Sequence, residues 1–203
     1  LYFTTLSAFG GVGRAPLQAL TRRQYSKART TELDAGLLAA LQEILRFLPL
    51  IPPRSIPLLP SGCERCVYIW SDAMWEPVRD GSGEAVQVFD EDTGESFYIA
   101  KATLAFVVYV PWLKRWFHAY RDVGIDVIRQ MVPGKKTYIG QLEALAATSV
   151  IYSVPSDWLQ DRDGFMWIDN MGAKYALQKA SSRQDDTGRI VHAFWSQAAR
   201  VRF

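Results

Sequence analysis

The stretch Cys66-Val-Tyr-Ile-Trp-Ser-Asp72 decides the fold class of this chain. Side chains alternate between the two faces of a strand, so the even-numbered residues up to Trp70 and Asp72 share one face, and the odd-numbered residues from Val67 share the other. Both faces are bulky, which is typical of a central strand covered by helices on both sides. The stretch therefore predicts a layered domain built around a sheet.

The residues that follow predict an α/β fold with a mixed sheet that is truncated at its last strand. Period-two patterns over 85–90 and 96–103 predict two strands joined by the turn-rich Asp90-Glu-Asp-Thr-Gly94. Residues 104–137 are interpreted as an inserted helical element, although 104–110 can also extend the second strand. The other expected elements are, in order, a helix over 112–120 that Pro111 opens, a helix over 139–152, a strand over 164–169, helices over 170–179 and 187–199, and the opening of another strand at 201–203.

The leading residues 1–62 are predicted to form a helical connection and linker, with an incomplete domain over 63–203. Helices are expected over 15–25 and 31–48, the second with leucines at helical spacing and Thr31 as its cap. Residues 51–62 carry four prolines and form the linker. Residues 1–60 hold seven Lys and Arg against three acids, and the remainder holds sixteen against eighteen. A basic leading segment suits contact with phosphates, and an ordinary solvated surface is the alternative.

Cysteines, histidines and hydropathy indicate little further chemistry. Cys63-Glu-Arg-Cys66 supplies only half of a zinc site, so we expect reduced thiols in an intracellular protein of the nucleus or cytoplasm. His118 and His192 lie in aromatic-rich segments and are interpreted as core or interfacial residues. No apolar run approaches the roughly 18–20 residues of a membrane span, so no membrane partner is expected.

Three carboxylates form the candidate catalytic set. Asp72 and Asp169 stand at the carboxyl ends of two hydrophobic strands, and Glu143 lies beside the inward stripe of the helix over 139–152. Burying an unpaired carboxylate is costly, and a divalent cation is its natural partner. Mg²⁺ or Mn²⁺ prefers hard carboxylate oxygens and keeps waters that leave room for a substrate phosphate. The alternative is that each acid merely ends a strand or caps a helix.

Three short motifs resemble the ribonuclease H family, in particular the domain that follows the polymerase in retrotransposon reverse transcriptases. They are Ser71-Asp72-Ala73, Gln141-Leu-Glu143-Ala-Leu-Ala146 and Ile168-Asp169-Asn170-Met-Gly-Ala173. The resemblance implies that Asp72, Glu143 and Asp169 bind metal and that the substrate is an RNA–DNA hybrid, recognised by its shape and 2′-hydroxyls. Residues 1–62 are similar to the connection that joins a polymerase domain of the same polyprotein to ribonuclease H. Four basic residues would position phosphates, namely Arg14, Arg22, Arg23 and Lys179.

The chain departs from the family pattern in three places. Met74-Trp-Glu-Pro77 follows the first acid where relatives place small residues, and the spacing from Asp72 to Glu143 (143 − 72 = 71) is long. The family's fourth acid follows the final strand, and Asp185 and Asp186 come too early to take its role. A non-catalytic nucleic-acid-binding or scaffold module of the same fold is therefore the second hypothesis. An integrase-type nuclease is disfavoured, because its acids come in the order Asp, Asp, Glu.

Overall fold

A computed structural model describes residues 13–25, 33–49, 65–91, 94–133 and 135–203. The strands are β1 (Cys66–Pro77), β2 (Gln87–Asp90), β3 (Glu95–Tyr98), β4 (Ala100–Val110), β5 (Arg115–Asp122) and β6 (Asp163–Ile168). The helices are α1 (Arg14–Gln24), α2 (Ala35–Phe47), α3 (Ile125–Ile128), α4 (Ile139–Ser153), α5 (Ser156–Leu159), α6 (Met171–Lys179) and α7 (Asp185–Val201). Thr31, Cys63 and the predicted linker over 51–62 lie outside the described residues.

The predicted α/β architecture with a mixed sheet is confirmed. Four strands pair in the order β5-β4-β1-β6, with β1 antiparallel to β4, β4 antiparallel to β5, and β1 parallel to β6. After β4 and β5 the chain crosses from β5, at one edge of the sheet, to β6 at the other edge through α3, α4 and α5. A helical crossover of this kind is what places β6 parallel to β1. The opening stretch thus forms the central strand β1. The expectation that this strand ends at Asp72 is wrong, because pairing with β4 continues it to Pro77.

The hairpin predicted around the turn at 90–94 is confirmed, and it is the element inserted between β1 and β4. β2 and β3 pair antiparallel as a separate sheet of two strands. Backbone bonds from the amide of Val78 to the carbonyl of Ile99, and from the amide of Val86 to the carbonyl of Val78, join the hairpin's base to the ends of β1 and β4. The hairpin lengthens the chain between Asp72 and Glu143 without changing the order of the main sheet.

The helix predicted over 112–120, and with it the helical insertion over 104–137, is wrong. Pro111–Leu113 forms one 3₁₀ turn, Lys114 adopts a left-handed conformation at φ 50°, and the chain returns as β5. The pairing of Phe117 with Val108 places Phe117 toward the core while Trp116 points away from it. Aromatic residues favour strands, and the pairing of this segment with β4 selects the strand over the helical stripe that its apolar residues also allow.

The expected strand at 201–203 is also wrong. α7 continues to Val201, and Arg202 ends it in a left-handed conformation at φ 59°. Its amide and that of Phe203 donate to carbonyls of the last helical turn, at Ala199 and Ala198. The chain therefore turns back under the sheet at Phe203, whose ring packs against the main core.

One face of the sheet carries the main core. Val67 and Ile69 of β1 and Val108 of β4 are fully buried against Val150 of α4 and Val191 of α7. The other face stays open in the described part of the chain, which leaves Trp70 38% exposed and Trp167 47% exposed. The expectation that helices cover both faces is therefore wrong for these residues.

Replacing Gly164 by Ala is expected to lower the free energy of unfolding by about 1 kcal/mol, because the added methyl group would push the ring of Phe203 away from its packing against the core. A Cβ at Gly164 would collide with the ring of Phe203. Urea unfolding measures the change, and Gly140→Ala is the matched control, because its methyl group meets nothing nearer than 3.9 Å. The double variant with Phe203→Ala should regain part of the loss. Equal stability of Gly164→Ala and the parent would contradict this packing.

Candidate metal centre

The structure brings Asp72, Glu143 and Asp169 together. One carboxylate oxygen from each residue lies within 4.8 Å of the others. The parallel register pairs Trp70 of β1 with Trp167 of β6, so the acids two residues further along each chain meet at the same edge of the sheet. Glu143 reaches them from α4, which packs on the buried face of β1.

Local sequence explains how each acid is held. Asp169 follows β6 directly, and Asn170 then caps α6 by accepting a 3.0 Å bond from the amide of Ala173. The amide of Ala73 donates to Oδ1 of Asp72 at 2.8 Å and to Oε1 of Glu143 at 3.3 Å. A single backbone N–H thus ties the strand acid to the helix acid.

The three acids differ in burial, and this difference determines their electrostatics. Asp72 and Asp169 are exposed, whereas Glu143 is 2% exposed. Burial, followed by the negative charge of Asp169, raises the pKa of Glu143 to about 8, and the charge of Asp72 adds to the effect. The amide of Ala73 opposes this shift without cancelling it. Without a cation, Glu143 is therefore mainly protonated at neutral pH.

The donor set fits a divalent cation. Oε2 of Glu143 is buried and has no hydrogen-bond partner. Three carboxylates around one point are the hard ligands that such ions prefer, and a cation's charge would favour ionised Glu143. Among the described residues this is the one cluster of Asp, Glu, His or Cys with such convergence.

Asp185 and Asp186 are engaged elsewhere. Asp186 is 2% exposed and forms an ion pair with Nζ of Lys135 at 2.8 Å, while the amide of Val132 donates to it at 3.1 Å. Burial alone would raise the pKa of Asp186, but Lys135, Val132 and Thr187 outweigh it, so the pKa lies below its ordinary value. This pair fastens the loop before α4 to the start of α7, and the sequence analysis missed Lys135 because its partner is fifty-one residues away.

The basic residues assigned to phosphate binding gather around the segment between α6 and α7. Arg14 donates to the carbonyl of Lys179 at 2.8 Å, and Arg22 donates to the carbonyl of Arg183 at 2.9 Å and pairs with Asp185 at 3.1 Å. These arginines attach α1 to the body of the protein. Lys179 is exposed, with its ammonium 5.9 Å from the ring centre of Tyr175, and Arg23 is half-buried on α1.

The two histidines and Cys66 lie outside the converging set of acids. His192 packs edge-on against Phe47 and lies 3.6 Å from Glu43. Burial lowers the pKa of His192, although Glu43 opposes that shift. His118 lies on β5, a strand rather than the predicted aromatic-rich helix. Cys66 is buried and forms no disulfide with any described residue.

Comparison with known proteins found no relative, since no family model, curated protein or solved structure matches the chain. In the described part of the chain, no helix is both long and apolar enough to span a membrane.

Proposed function

We propose that this chain is a metal-dependent nuclease of the ribonuclease H type, which cuts the RNA strand of an RNA–DNA hybrid with Mg²⁺ or Mn²⁺. The observation that carries the proposal is the convergence of Asp72 within β1, Glu143 on α4 and Asp169 directly after β6, with one carboxylate oxygen of each within 4.8 Å of the others. Packing does not explain three carboxylates at one point, because their like charges repel. The resemblance of the three surrounding motifs to ribonuclease H supports the choice of reaction.

Each acid has a separate task in this proposal. Asp72, Glu143 and Asp169 would hold the divalent ions, which supply an activated water and charge stabilisation for phosphodiester cleavage. Glu143 is buried and would hold the metal from the side of α4. Asp72 and Asp169 are exposed, so a phosphate can approach the site from their side. The amide of Ala73 holds Asp72 and Glu143 in position through its two hydrogen bonds.

The basic leading segment is proposed to contact the nucleic acid and a polymerase domain of the same polyprotein. α1 is docked beside the segment between α6 and α7 by Arg14 and Arg22, whose side chains remain partly accessible. Together with Lys179, they form a basic surface that suits phosphate contacts. Phosphate binding there would be salt-dependent.

A cleavage assay on four labelled substrates tests the proposed function. The protein is incubated with an RNA–DNA hybrid, duplex RNA, duplex DNA and single-stranded RNA, each in Mg²⁺, in Mn²⁺ and with a chelator. We expect cuts in the RNA strand of the hybrid, in metal only. Equal cutting of all four substrates, or cutting that persists with the chelator, would overturn the proposal.

A non-catalytic module of the same fold is the second candidate, and one observation favours it. Only three acids converge in the described residues, and Asp186 is committed to Lys135. A protein that binds the hybrid and Mg²⁺ but cuts nothing in the same assay would support this candidate. Calorimetric titration with Mg²⁺ in the absence of nucleic acid measures the metal site independently of cleavage.

A further inference from the structure

A buried polar network joins the start of α4 to the start of α7. It consists of Lys135 before α4, Gln141 on α4, and Gln184, Asp186 and Thr187 around the start of α7. Gln141 and Asp186 are 5% and 2% exposed. Polar side chains are costly to bury unless they are bonded, and a bonded buried network makes the surrounding structure rigid. The proposed function does not use these side chains.

Asp186 is the centre of the network. Its Oδ2 accepts bonds from Nζ of Lys135 at 2.8 Å and from the amide of Val132 at 3.1 Å. Its Oδ1 accepts a bond from the amide of Thr187 at 2.6 Å. The side-chain amide of Gln141 bonds to Asp186 in one orientation and to Lys135 in the other, so Gln141 belongs to the network in both. Directional bonds therefore hold the loop before α4, the first turn of α4 and the start of α7 together.

Gln141 and Glu143 lie in the same turn of α4 and contact different neighbours. Two positions along a helix are roughly 200° apart around its axis, so the two side chains leave it on nearly opposite sides. Glu143 reaches β1, where the amide of Ala73 donates to its Oε1 at 3.3 Å. Gln141 reaches the start of α7, where its amide group lies 2.9 Å from Oε1 of Gln184. The first turn of α4 is thus held between the sheet and α7.

Apolar packing sets the distance of α4 from the sheet but fixes the position of the helix along the sheet less narrowly. Tyr138 and Leu142 pack the start of α4 into a small apolar cluster with Ala102 of β4, and hydrophobic contacts are non-directional. The two strand acids also repel an ionised Glu143. A working site requires its groups to be held within about 0.5 Å. Directional bonds on the other side of α4 meet this requirement.

We infer that Lys135, Gln141 and Asp186 are positioning residues of the metal centre. They hold the first turn of α4 where the carboxylate of Glu143 converges with the other two acids. They touch neither metal nor substrate in this role and act through the helix. This role rests on the proposed metal centre, and it does not depend on the substrate or on cleavage. Groups that orient metal ligands without touching the metal change metal affinity by about 10–100-fold when they are replaced.

Calorimetric titration of Lys135→Met with Mg²⁺ alone tests this role, because positioning and charge predict opposite results. The substitution removes a positive charge, which by itself would tighten the binding of a cation. The positioning role predicts instead that the dissociation constant rises by about tenfold. Circular dichroism checks that the variant is folded. If Lys135→Met does not fold, Gln141→Met takes its place, since it leaves no charge unpaired, and it should weaken Mg²⁺ binding several-fold.

The matched control is Arg129→Met. Arg129 pairs with Oδ2 of Asp90 at 3.1 Å, and Asp90 is 6% exposed. Both substitutions thus remove a base from a buried acid, but Arg129 joins the β2–β3 hairpin to the end of α3 and not to α4. The Mg²⁺ affinity of Arg129→Met should stay close to that of the parent. Equal affinities of Lys135→Met and Arg129→Met, or tighter binding by Lys135→Met, would overturn the positioning role.

The amide of Ala73 reports on the same role without metal, because it donates to Glu143. In a chelator, its nuclear magnetic resonance signal should move and its hydrogen exchange should accelerate in Lys135→Met, but not in Arg129→Met. An Ala73 amide that is unchanged in both variants would count against the role. A parent that binds no Mg²⁺ would refute the metal centre, and the Ala73 amide would still show whether the network holds Glu143. A parent that binds Mg²⁺ but cuts no hybrid would refute only the proposed nuclease.

Discussion

Replacing Asp72 by Asn should reduce cleavage of the RNA–DNA hybrid in Mg²⁺ by about 100-fold or more. The substitution keeps the size of the side chain and an oxygen that can accept the bond from the amide of Ala73. It removes one negative charge from the three that would hold the cation. Metal-derived stabilisation of a phosphodiester transition state is worth several kcal/mol, and each 1.36 kcal/mol corresponds to about a tenfold change in rate. Initial rates at saturating Mg²⁺ measure the effect.

Asp122→Asn is the control for this substitution. Asp122 is an exposed acid on β5 that accepts a 2.7 Å bond from the hydroxyl of Thr103 and does not belong to the converging set. Its rate should stay within about twofold of the parent, because it touches neither the proposed metal nor the reacting phosphate. If Asp72→Asn cuts as fast as Asp122→Asn, the assignment of the centre fails.

The stability of the metal-free protein is expected to fall as the pH rises from about 4.5 to about 8, because Glu143 binds its proton more tightly in the folded state. Its pKa is about 8 when folded, against an ordinary value of 4.5. Between these values the folded chain holds a proton that the unfolded chain has lost, so a higher pH favours unfolding. Since one pKa unit corresponds to about 1.36 kcal/mol, the total loss is on the order of a few kcal/mol.

Glu143→Gln should remove this pH dependence and should be more stable than the parent above pH 8. The neutral amide fills the same space without bringing a charge into the buried site. Denaturant unfolding of both proteins in a chelator, from pH 5 to pH 9, measures the difference. Mg²⁺ should stabilise the parent and not the variant, since a ligand raises stability only where it binds the folded state. Parallel pH profiles for the two proteins would show that Glu143 is not the responsible group.

Local patterns predicted the elements whose signals lie within a few residues. The alternation around Val67 and Ile69 predicted β1, and the helical stripe that contains Leu142 predicted α4. Asp169 follows β6 directly, as expected, whereas Asp72 lies within β1, which continues to Pro77. The segment that forms β5 was predicted incorrectly, because its apolar residues allow a helical stripe as well as a strand. Its pairing with β4 decides between the two, and that pairing is a tertiary contact.

By itself, the sequence determined the α/β class, the central strand and the three acids of the candidate centre, since these depend on periodicity and on short local motifs. Only the tertiary structure decided that Asp72, Glu143 and Asp169 converge, that Asp186 forms its ion pair with Lys135, and that one face of the sheet stays open among the residues that the structure describes. Apolar alternation shows which side chains avoid water, but not what covers them. The elevated pKa of Glu143 likewise arises from burial and from charges contributed by two strands. Both properties depend on contacts between residues far apart in the chain, which a local pattern does not encode.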